Sequence, residues 1–199
     1  MKEKPTLTVN LEQLKQVLLD ADFDNSDAIR ELVIPESLTD IDKELREYIE
    51  LCGCLEEFNV HPDNPSFTSE NGILFSKDKV TLLIFPRGLD GNFIVPDFVR
   101  KIGRGAFFGC VWLKSVIIPD SVEEIGEGAF YECMFLSEVR LSNSIKKIPN
   151  GAFSGCMGTS ITIPKSVVDI AENAFYCCNV TVDPENPMFT SENGKLKRK

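Results

Sequence analysis

The sequence has a single histidine, His61, among its 199 residues. This excludes His-rich metal centres and leaves only one candidate imidazole base. There is no Gly-x-Ser-x-Gly and no Gly-Lys-Ser/Thr element, the motifs of α/β-hydrolases and P-loop nucleotide-binding proteins. No apolar run approaches the length of a membrane span. The sequence therefore carries no catalytic signature, indicates no cofactor and predicts no membrane-spanning helix.

Basic residues are also scarce, with 21 Lys and Arg against 31 Asp and Glu and a formal net charge of −10. Phosphate binding needs a basic face, so this balance argues against a nucleic-acid or anionic-membrane partner. The one basic cluster lies at the terminus, in 195–199, and is interpreted as a solvated tail.

What the sequence does contain is repetition. The phrase that runs from Val60 to Gly72 returns 122 residues later, from Val182 to Gly194. A finer repeat of Gly-Ala-Phe or Asn-Ala-Phe begins at Gly105, Gly128, Gly151 and Asn173, with spacings of 23, 23 and 22 residues. A period in this range predicts a solenoid, in which each coil buries its apolar side chains against the next.

One coil can be interpreted residue by residue. Leu113, Val116 and Ile118 alternate as in a half-buried strand, and Pro119 ends that strand because proline cannot donate to a ladder. The segment 126–133 contains glycines for a tight bend, which predicts a short helical or irregular turn. Each coil then contributes a strand, a corner and a compact return.

Two stretches depart from the 23-residue frame. Within 64–96, apolar runs on either side of Lys77-Asp-Lys79 predict an inserted β-hairpin at about 72–86. After Gly194, the second copy of the phrase continues into the basic tail instead of the apolar strand that follows Gly72. We therefore expect the terminal coil to be frayed and to lack its usual cover.

The repeat unit from Ile118 to Cys133, Ile-Pro-x-Ser-Val-x-x-Ile-Gly-x-Gly-Ala-Phe-x-x-Cys, resembles the BspA-like leucine-rich repeat of bacterial cell-surface proteins. The resemblance covers residue 29 to the end, and 1–28 resembles an N-terminal helical cap. It implies an α/β fold: a horseshoe-like leucine-rich repeat solenoid of stacked short parallel strands, with the inserted hairpin, as one continuous domain. It also implies noncatalytic binding of proteins or glycans, as in an adhesin-like segment.

The seven cysteines are odd in number, and four of them, Cys110, Cys133, Cys156 and Cys178, occupy one repeat position. Stacked coils place such side chains about 4.8 Å apart and parallel, which does not suit a disulfide. We expect buried free thiols at the first three. Zinc is not favoured at Cys52-Gly-Cys54 or Cys177-Cys178, because no further ligands lie nearby in sequence.

One metal-like pattern is sharper. Asp20, Asp22, Asp24 and Glu31 hold positions 1, 3, 5 and 12 of a calcium-binding EF-hand loop. Asn25 replaces the glycine of position 6, however, and a strand rather than a helix follows. The alternative is a solvated acidic connection, so no metal site is assigned.

Two sets of residues are candidates for binding. In the predicted strands, one outward row contains Ile94, Ile117, Arg140 and Thr162. After the repeated cysteines, Trp112 and Phe135 are in register at a position that looks exposed, and we expect them to contact a partner or a second copy of the chain. Alternatively, these two rings fold over the rim and shield the coil beneath.

The N-terminus has no apolar segment of the kind found in signal peptides. Two explanations stay open: a cytoplasmic protein, or a segment from which the leader is missing. The resemblance favours an extracellular or cell-surface location and a protein or glycan ligand. A cytoplasmic protein-protein interaction scaffold is the alternative function.

Overall fold

The computed structural model describes residues 6–8 and 29–199 of the chain. Strands β1 to β6 are Thr6–Thr8, Glu31–Ile34, Glu57–Val60, Phe67–Glu70, Ile73–Ser76 and Thr81–Ile84, and helix α1, Lys43–Leu51, lies between β2 and β3. Strands β7 to β12 are Gly91–Ile94, Lys101–Ile102, Leu113–Ile117, Glu124–Ile125, Glu138–Arg140 and Lys147–Ile148. Strands β13 to β17 are Ser160–Ile163, Asp169–Ile170, Asn179–Val182, Phe189–Glu192 and Lys195–Arg198.

The strands form a solenoid, as predicted. A front sheet of five parallel strands has the order β15-β13-β11-β9-β7, and β1, β2 and β3 form a second parallel sheet. On the back, the two-residue strand β8 pairs in parallel with β6 on one side and with β10 on the other, and β12 pairs in parallel with β14. The stacked parallel strands confirm the leucine-rich-repeat type of solenoid, and α1 is the one helix among the described residues.

Each coil follows the predicted alternation. Leu113, Val116 and Ile118 are buried, whereas Ile117 is exposed. Pro119 opens a corner that is closed by a hydrogen bond from the Val122 amide to the Pro119 carbonyl, 3.0 Å long. The segment 126–133 is an irregular turn, which was one of the two predicted forms.

A column of phenylalanine rings forms the centre of the core. The rings belong to one repeat position, and successive centroids lie 5.0, 4.6, 5.0 and 5.6 Å apart along Phe85, Phe107, Phe130, Phe153 and Phe175. The backbone amides of the first four ring residues donate to the alanine carbonyl of the next coil, as from Phe107 to Ala129 at 2.7 Å. Backbone pairing and ring stacking therefore hold the coils in the same register.

The repeated cysteines form a second column. None of the seven cysteines, all of which lie among the described residues, forms a disulfide, and the thiols of Cys110, Cys133 and Cys156 are buried, as expected. Each thiol of this column contacts the carbonyl of a phenylalanine in the preceding coil, as Cys133 Sγ does with Phe107 O at 3.0 Å. The thiols are thus core side chains that also donate to the backbone.

The predicted insertion is present, with one strand more than the sequence indicated. The hairpin predicted at about 72–86 corresponds to β5 and β6, which pair antiparallel, and β4 adds a third antiparallel strand before them. Leu82 on β6 pairs with Ile102, and Phe85 stacks on Phe107, so the end of the insertion already occupies the repeat frame. Placing the whole of 64–96 outside the frame was therefore wrong for the part from β6 onward.

The expectation of a frayed terminus was also wrong. Strand β17 pairs antiparallel with β16 in the register Phe189 to Arg198. Leu196 packs against the core while the basic residues beside it point to solvent. The Lys-Leu-Lys-Arg run is therefore an alternating strand, and its positive charge masked the one apolar residue that orients it.

Near the N-terminus, α1 replaces the glycine turn of the later coils. Asp42 caps it by accepting a hydrogen bond from the Leu45 amide at 2.8 Å, and Leu45 and Ile49 are buried. The sequence interpretation missed this helix, although the Asp cap and the four-residue apolar spacing are typical signals. The helical cap predicted for 1–28 lies outside the described residues, apart from β1.

Candidate binding surface

The outward side of the front sheet, here called the strand face, carries the predicted row of candidate residues. The strand register aligns Ile94 with Ile117, Ile117 with Arg140, and Arg140 with Thr162. All four side chains are exposed, Ile94 to 64%. The row changes from apolar to polar along the solenoid axis, and it ends where the Thr162 and Thr181 hydroxyls lie 2.8 Å apart.

A second outward row on the strand face is polar throughout. The register aligns its members as Asn92, Ser115, Glu138, Ser160 and Asn179. The Ser115 hydroxyl donates to Asn92 Oδ1 at 2.8 Å. An open hollow of about 570 Å³ lies over the far part of this face, lined by Glu138, Arg140 and Asp183 among others. The strand face thus offers hydrogen-bonding groups of both charge signs.

The predicted aromatic pair lies in the turns that lead into this face: Trp112 directly precedes β9, and Phe135 lies three residues before the start of β11. Trp112 is 51% exposed and Phe135 is 62% exposed, and their ring centroids are 5.9 Å apart. More than half of each side chain is thus accessible to a partner, and the remainder is covered by the protein. Met134 and Met157 are 46% and 66% exposed. We call these four residues the exposed apolar patch.

The local sequence explains why these rings face outward. Leu113 and Leu136, the residues that follow the two aromatic residues, are buried in the core. Trp112 and Phe135 lie one residue earlier, in the turns between the repeated cysteines and the front strands. The position of the patch is therefore fixed by the repeat, which places each leucine in the core and the residue before it in a surface turn.

Charged side chains elsewhere on the coils neutralise one another. On the back strands, Lys101 Nζ lies 2.8 Å from Glu124 Oε2, and Lys147 Nζ lies 3.0 Å from Asp169 Oδ2. At the corners, hydrogen bonds from the Asn143 amide and side chain lower the pKa of the Asp120 carboxyl. These pairs are exposed and each contributes little to stability, but they keep the back of the solenoid free of strong local charge.

His61 and Asp183 occupy the same position in the two copies of the duplicated phrase, and both side chains accept a hydrogen bond from the amide two residues later. His61 Nδ1 accepts from the Asp63 amide at 3.2 Å, and Asp183 Oδ1 accepts from the Glu185 amide at 2.8 Å. A nitrogen and a carboxylate oxygen are both suitable acceptors, which explains the exchange. His61 therefore lies in a surface turn, as the sequence indicated.

The structure tests the metal-like pattern only in part. Asp20, Asp22 and Asp24 lie outside the described residues. Glu31 lies on β2, where it accepts a hydrogen bond from Asn59 Nδ2 at 3.2 Å. Within residues 6–8 and 29–199, no group of three or more His, Cys, Asp or Glu side chains is arranged to hold a metal ion.

The sequence interpretation missed one further exposed aromatic set, on the turns opposite the strand face. Phe108 and Tyr131 stack with centroids 5.6 Å apart and ring planes 4° apart, and Tyr176 is 71% exposed. The signal was present, because each of these residues directly follows the phenylalanine of an Ala-Phe pair. The sequence interpretation assigned the buried phenylalanine of each pair and did not assign the aromatic residue that follows it.

Comparison with known proteins gives one family and several solved structures. Residues 91–183 match the model described as "BspA type Leucine rich repeat region", in six copies. No curated protein matches the chain. In the part of the chain that the structure describes, no helix has the length and apolar character that crossing a membrane requires.

Three solved structures are similar to this chain. The pneumococcal vaccine antigen PcpA is 25% identical with a TM-score of 0.70, over 78% of this chain and 39% of that chain. A leucine rich cell surface protein from Faecalibacterium prausnitzii A2-165 is 30% identical with a TM-score of 0.64, over 74% of this chain and 39% of that chain. A leucine-rich repeat protein from Bacteroides capillosus ATCC 29799 is 28% identical with a TM-score of 0.53, over 59% of this chain and 99% of that chain. This chain therefore spans about two fifths of the first two proteins.

Proposed function

Because residues 91–183 belong to the BspA type leucine-rich repeat family, we propose that this chain is a noncatalytic protein-binding module. The proposed site is the exposed apolar patch together with the adjoining strand face. Leucine-rich repeats use an extended surface for recognition, since the repeat dictates the inward residues and leaves the outward ones free.

The observation that supports this proposal most is the exposure of Trp112 and Phe135. Two large rings in contact with each other at the surface remain unfavourably hydrated in the free protein. Aromatic residues and Met are enriched at protein interfaces, and Trp in particular dominates binding energy when a partner buries it. Burial of this patch would therefore provide the central contact.

The surroundings of the patch favour a protein partner over a glycan. Met134 and Met157 extend the apolar surface, and flexible thioether side chains adapt to apolar side chains of a partner. The polar rows of the strand face, with Glu138 and Arg140, adjoin the patch and are suited to the hydrogen-bonded rim of an interface. A second copy of this chain is one possible protein partner.

We also propose a bacterial cell-surface location. The similar structures include one protein named a vaccine antigen and one named a cell surface protein. The free thiols do not argue for a reducing compartment, because burial and hydrogen bonding protect the repeated ones. Burial raises the pKa of the Cys110 thiol to about 12, so it stays in the unreactive thiol form. The cytoplasmic scaffold remains the alternative.

The proposal is tested by a double variant, Trp112→Ala with Phe135→Ala. The wild type is titrated on an array of purified extracellular proteins and glycans, and its self-association is measured by sedimentation equilibrium. We expect a protein ligand, or the dimer, to lose at least about 30-fold in affinity in the variant, as for loss of about 2 kcal/mol at a hot spot.

The matched control is Tyr176→Ala, which removes an even more exposed ring from the opposite side of the coils. It should bind like the wild type. Equal binding by the double variant, or wild-type binding to glycans alone, would contradict the proposed protein site.

A further inference from the structure

A groove of about 390 Å³ lies on the turn side of the solenoid, away from the exposed apolar patch. We call it the turn groove. One wall is the polar side of α1, including Arg46, and the opposite wall is the stacked pair Phe108 and Tyr131. Its volume is within the range of about 300 to 1,000 Å³ that is typical of small-ligand sites.

The floor of the groove consists of glycines at one repeat position. Gly105, Gly128 and Gly151 have φ angles of 57, 59 and 64°, a left-handed conformation that favours glycine. A Cβ atom at Gly105 would lie 3.9 Å from Arg46 Nη1, and one at Gly128 would lie 3.7 Å from Tyr131 Cβ. The repeat thus keeps the floor free of side chains.

The aromatic wall has one open ring face. The amide of Gly109 donates to Tyr131 O, and the amide of Glu132 donates to Ser154 O, so Ser154 is the next member of the Phe108 and Tyr131 column. A serine is too short to cover the ring. One face of the Tyr131 ring therefore stays open, and the side chain is 36% exposed. In the column of buried phenylalanines the next ring covers the corresponding face, as Phe153 does for Phe130.

On the other wall, Arg46 is half-buried, yet its guanidinium makes no hydrogen bond or ion pair with any described residue. Burial lowers its pKa, an effect that Glu50 opposes and the nearby Arg104 reinforces. Arg104 is itself paired with Glu127 at 3.4 Å. A half-buried guanidinium without a partner favours a carboxylate, which it binds through two parallel hydrogen bonds.

The end of the groove is polar but uncharged. Asn150 and Asn173 are exposed there, and both also line the next hollow along the turns. The Asn173 side chain accepts from the Gly151 amide at 3.2 Å, whereas the Asn150 side chain has no hydrogen-bond partner among the described residues. Amide groups of this kind donate to and accept from hydroxyl groups.

We propose that the turn groove binds the pyranose ring of an acidic sugar, a uronic or sialic acid at the end of a glycan. The sugar lies against Tyr131, its hydroxyls bind the amide of Asn150, and its carboxylate extends along the glycine floor toward the Arg46 guanidinium. This site is separate from the protein-binding surface proposed above, so either can fail without the other.

The charges in the groove favour a single carboxylate over a polyanion. Lys43, Arg46 and Arg104 are balanced by Glu47, Glu50 and Glu127, so the groove has no net positive charge to attract nucleic acid. An acidic peptide also presents carboxylates, but it lacks a flat ring bearing hydroxyl groups. It is therefore the competing ligand that the experiment includes.

The test titrates the full chain with disaccharides ending in galacturonic acid, N-acetylneuraminic acid or galactose, and with an acidic tetrapeptide, by NMR. We expect one of the two acidic sugars to bind about tenfold more tightly than galactose, which corresponds to about 1.4 kcal/mol. Arg46→Met should abolish this preference. Tyr131→Ser should weaken all sugar binding, and the Trp112→Ala with Phe135→Ala variant should bind sugars like the wild type.

A second variant keeps the test independent of folding. Ser154→Tyr would add the missing ring to the column and cover Tyr131, so it should abolish sugar binding without lowering the melting temperature. Ser160→Tyr, in the same coil but on the strand face, is the matched control and should bind normally. Failure of both acidic sugars to bind, an intact preference in Arg46→Met, or tighter binding of the peptide would overturn the proposal.

Discussion

Asn186, in the second copy of the duplicated phrase, is fully buried and makes four hydrogen bonds with backbone groups. Its Nδ2 donates to Pro164 O and Val167 O, both at 2.9 Å, and its Oδ1 accepts from the amides of Met188 and Phe189. Asn64 in the first copy makes the equivalent bonds to Pro35 and Leu38. Each asparagine thus connects the turn in which it lies to the proline corner of the preceding coil.

Asn186→Asp is expected to destabilise the protein by about 2 to 4 kcal/mol, because a carboxylate cannot donate to the two carbonyls and is repelled by them. Urea unfolding measures the change. Asn92→Asp is the control, since exposed Asn92 uses its side-chain oxygen as an acceptor, which aspartate retains. Equal stability of the two variants would mean that the buried hydrogen bonds contribute nothing.

Single residues also show the limits of sequence interpretation. The outward row could be predicted because strand alternation decides which of its side chains leave the core, and Trp112 and Phe135 could be predicted from their shared place after the repeated cysteines. The role of Asn64 could not, because asparagine before proline is equally typical of an exposed turn. Only its recurrence in both copies of the phrase indicated a buried position.

Among the structural elements, the regular coils were the most predictable, because their spacing repeats the same pattern of apolar residues. The departures were harder to predict. Strand β17 contains a single apolar residue, and α1 replaces a turn within the frame. Strand β17 derives its structure from the neighbouring strand, which local periodicity does not reveal, whereas α1 has local cap and spacing signals that the repeat frame obscured.

Strand β17 provides the second stability prediction. Leu196 is half-buried and packs on the core, whereas the adjacent Lys195 is exposed. Leu196→Ser should lower the free energy of unfolding by about 1 to 2 kcal/mol, the value of a partly buried leucine. Lys195→Ser should leave it nearly unchanged. If thermal melting does not separate the two variants, the terminal strand is frayed, as the sequence first suggested.

For the molecule as a whole, the buried thiols make stability depend on alkaline pH. Burial raises the pKa of Cys52 to about 11 and that of Cys110 to about 12, above the value of 9.0 for a free thiol. The neighbouring Cys133 raises the pKa of Cys156, and Cys156 raises that of Cys178. The unfolded chain therefore loses these protons at lower pH than the folded protein does.

Because the thiol pKa values are raised in the folded protein, the stability that the protonated thiols contribute is fully present below pH 9. It is lost as the pH rises toward the pKa values of the folded protein. Each such thiol should reduce the unfolding free energy by about 1.4 kcal/mol per pH unit above that point. Urea titrations from pH 7 to 11 measure the loss. Cys110→Ala should be less stable at pH 7 but decline less steeply, and parallel declines would exclude the thiol effect.

Helix α1 has a consequence for how positions along the solenoid are distinguished. Coils with the same backbone look alike along the solenoid axis, but α1 lies beside one end of the stack and makes that end different from the other. The turn groove lies next to α1, and the exposed apolar patch lies on another side of the same coils, since Phe108 and Trp112 belong to one coil and Tyr131 and Phe135 to the next. A 23-residue unit inserted after Cys178 would therefore lengthen the solenoid by one coil rise, about 4.8 Å, while leaving both surfaces intact.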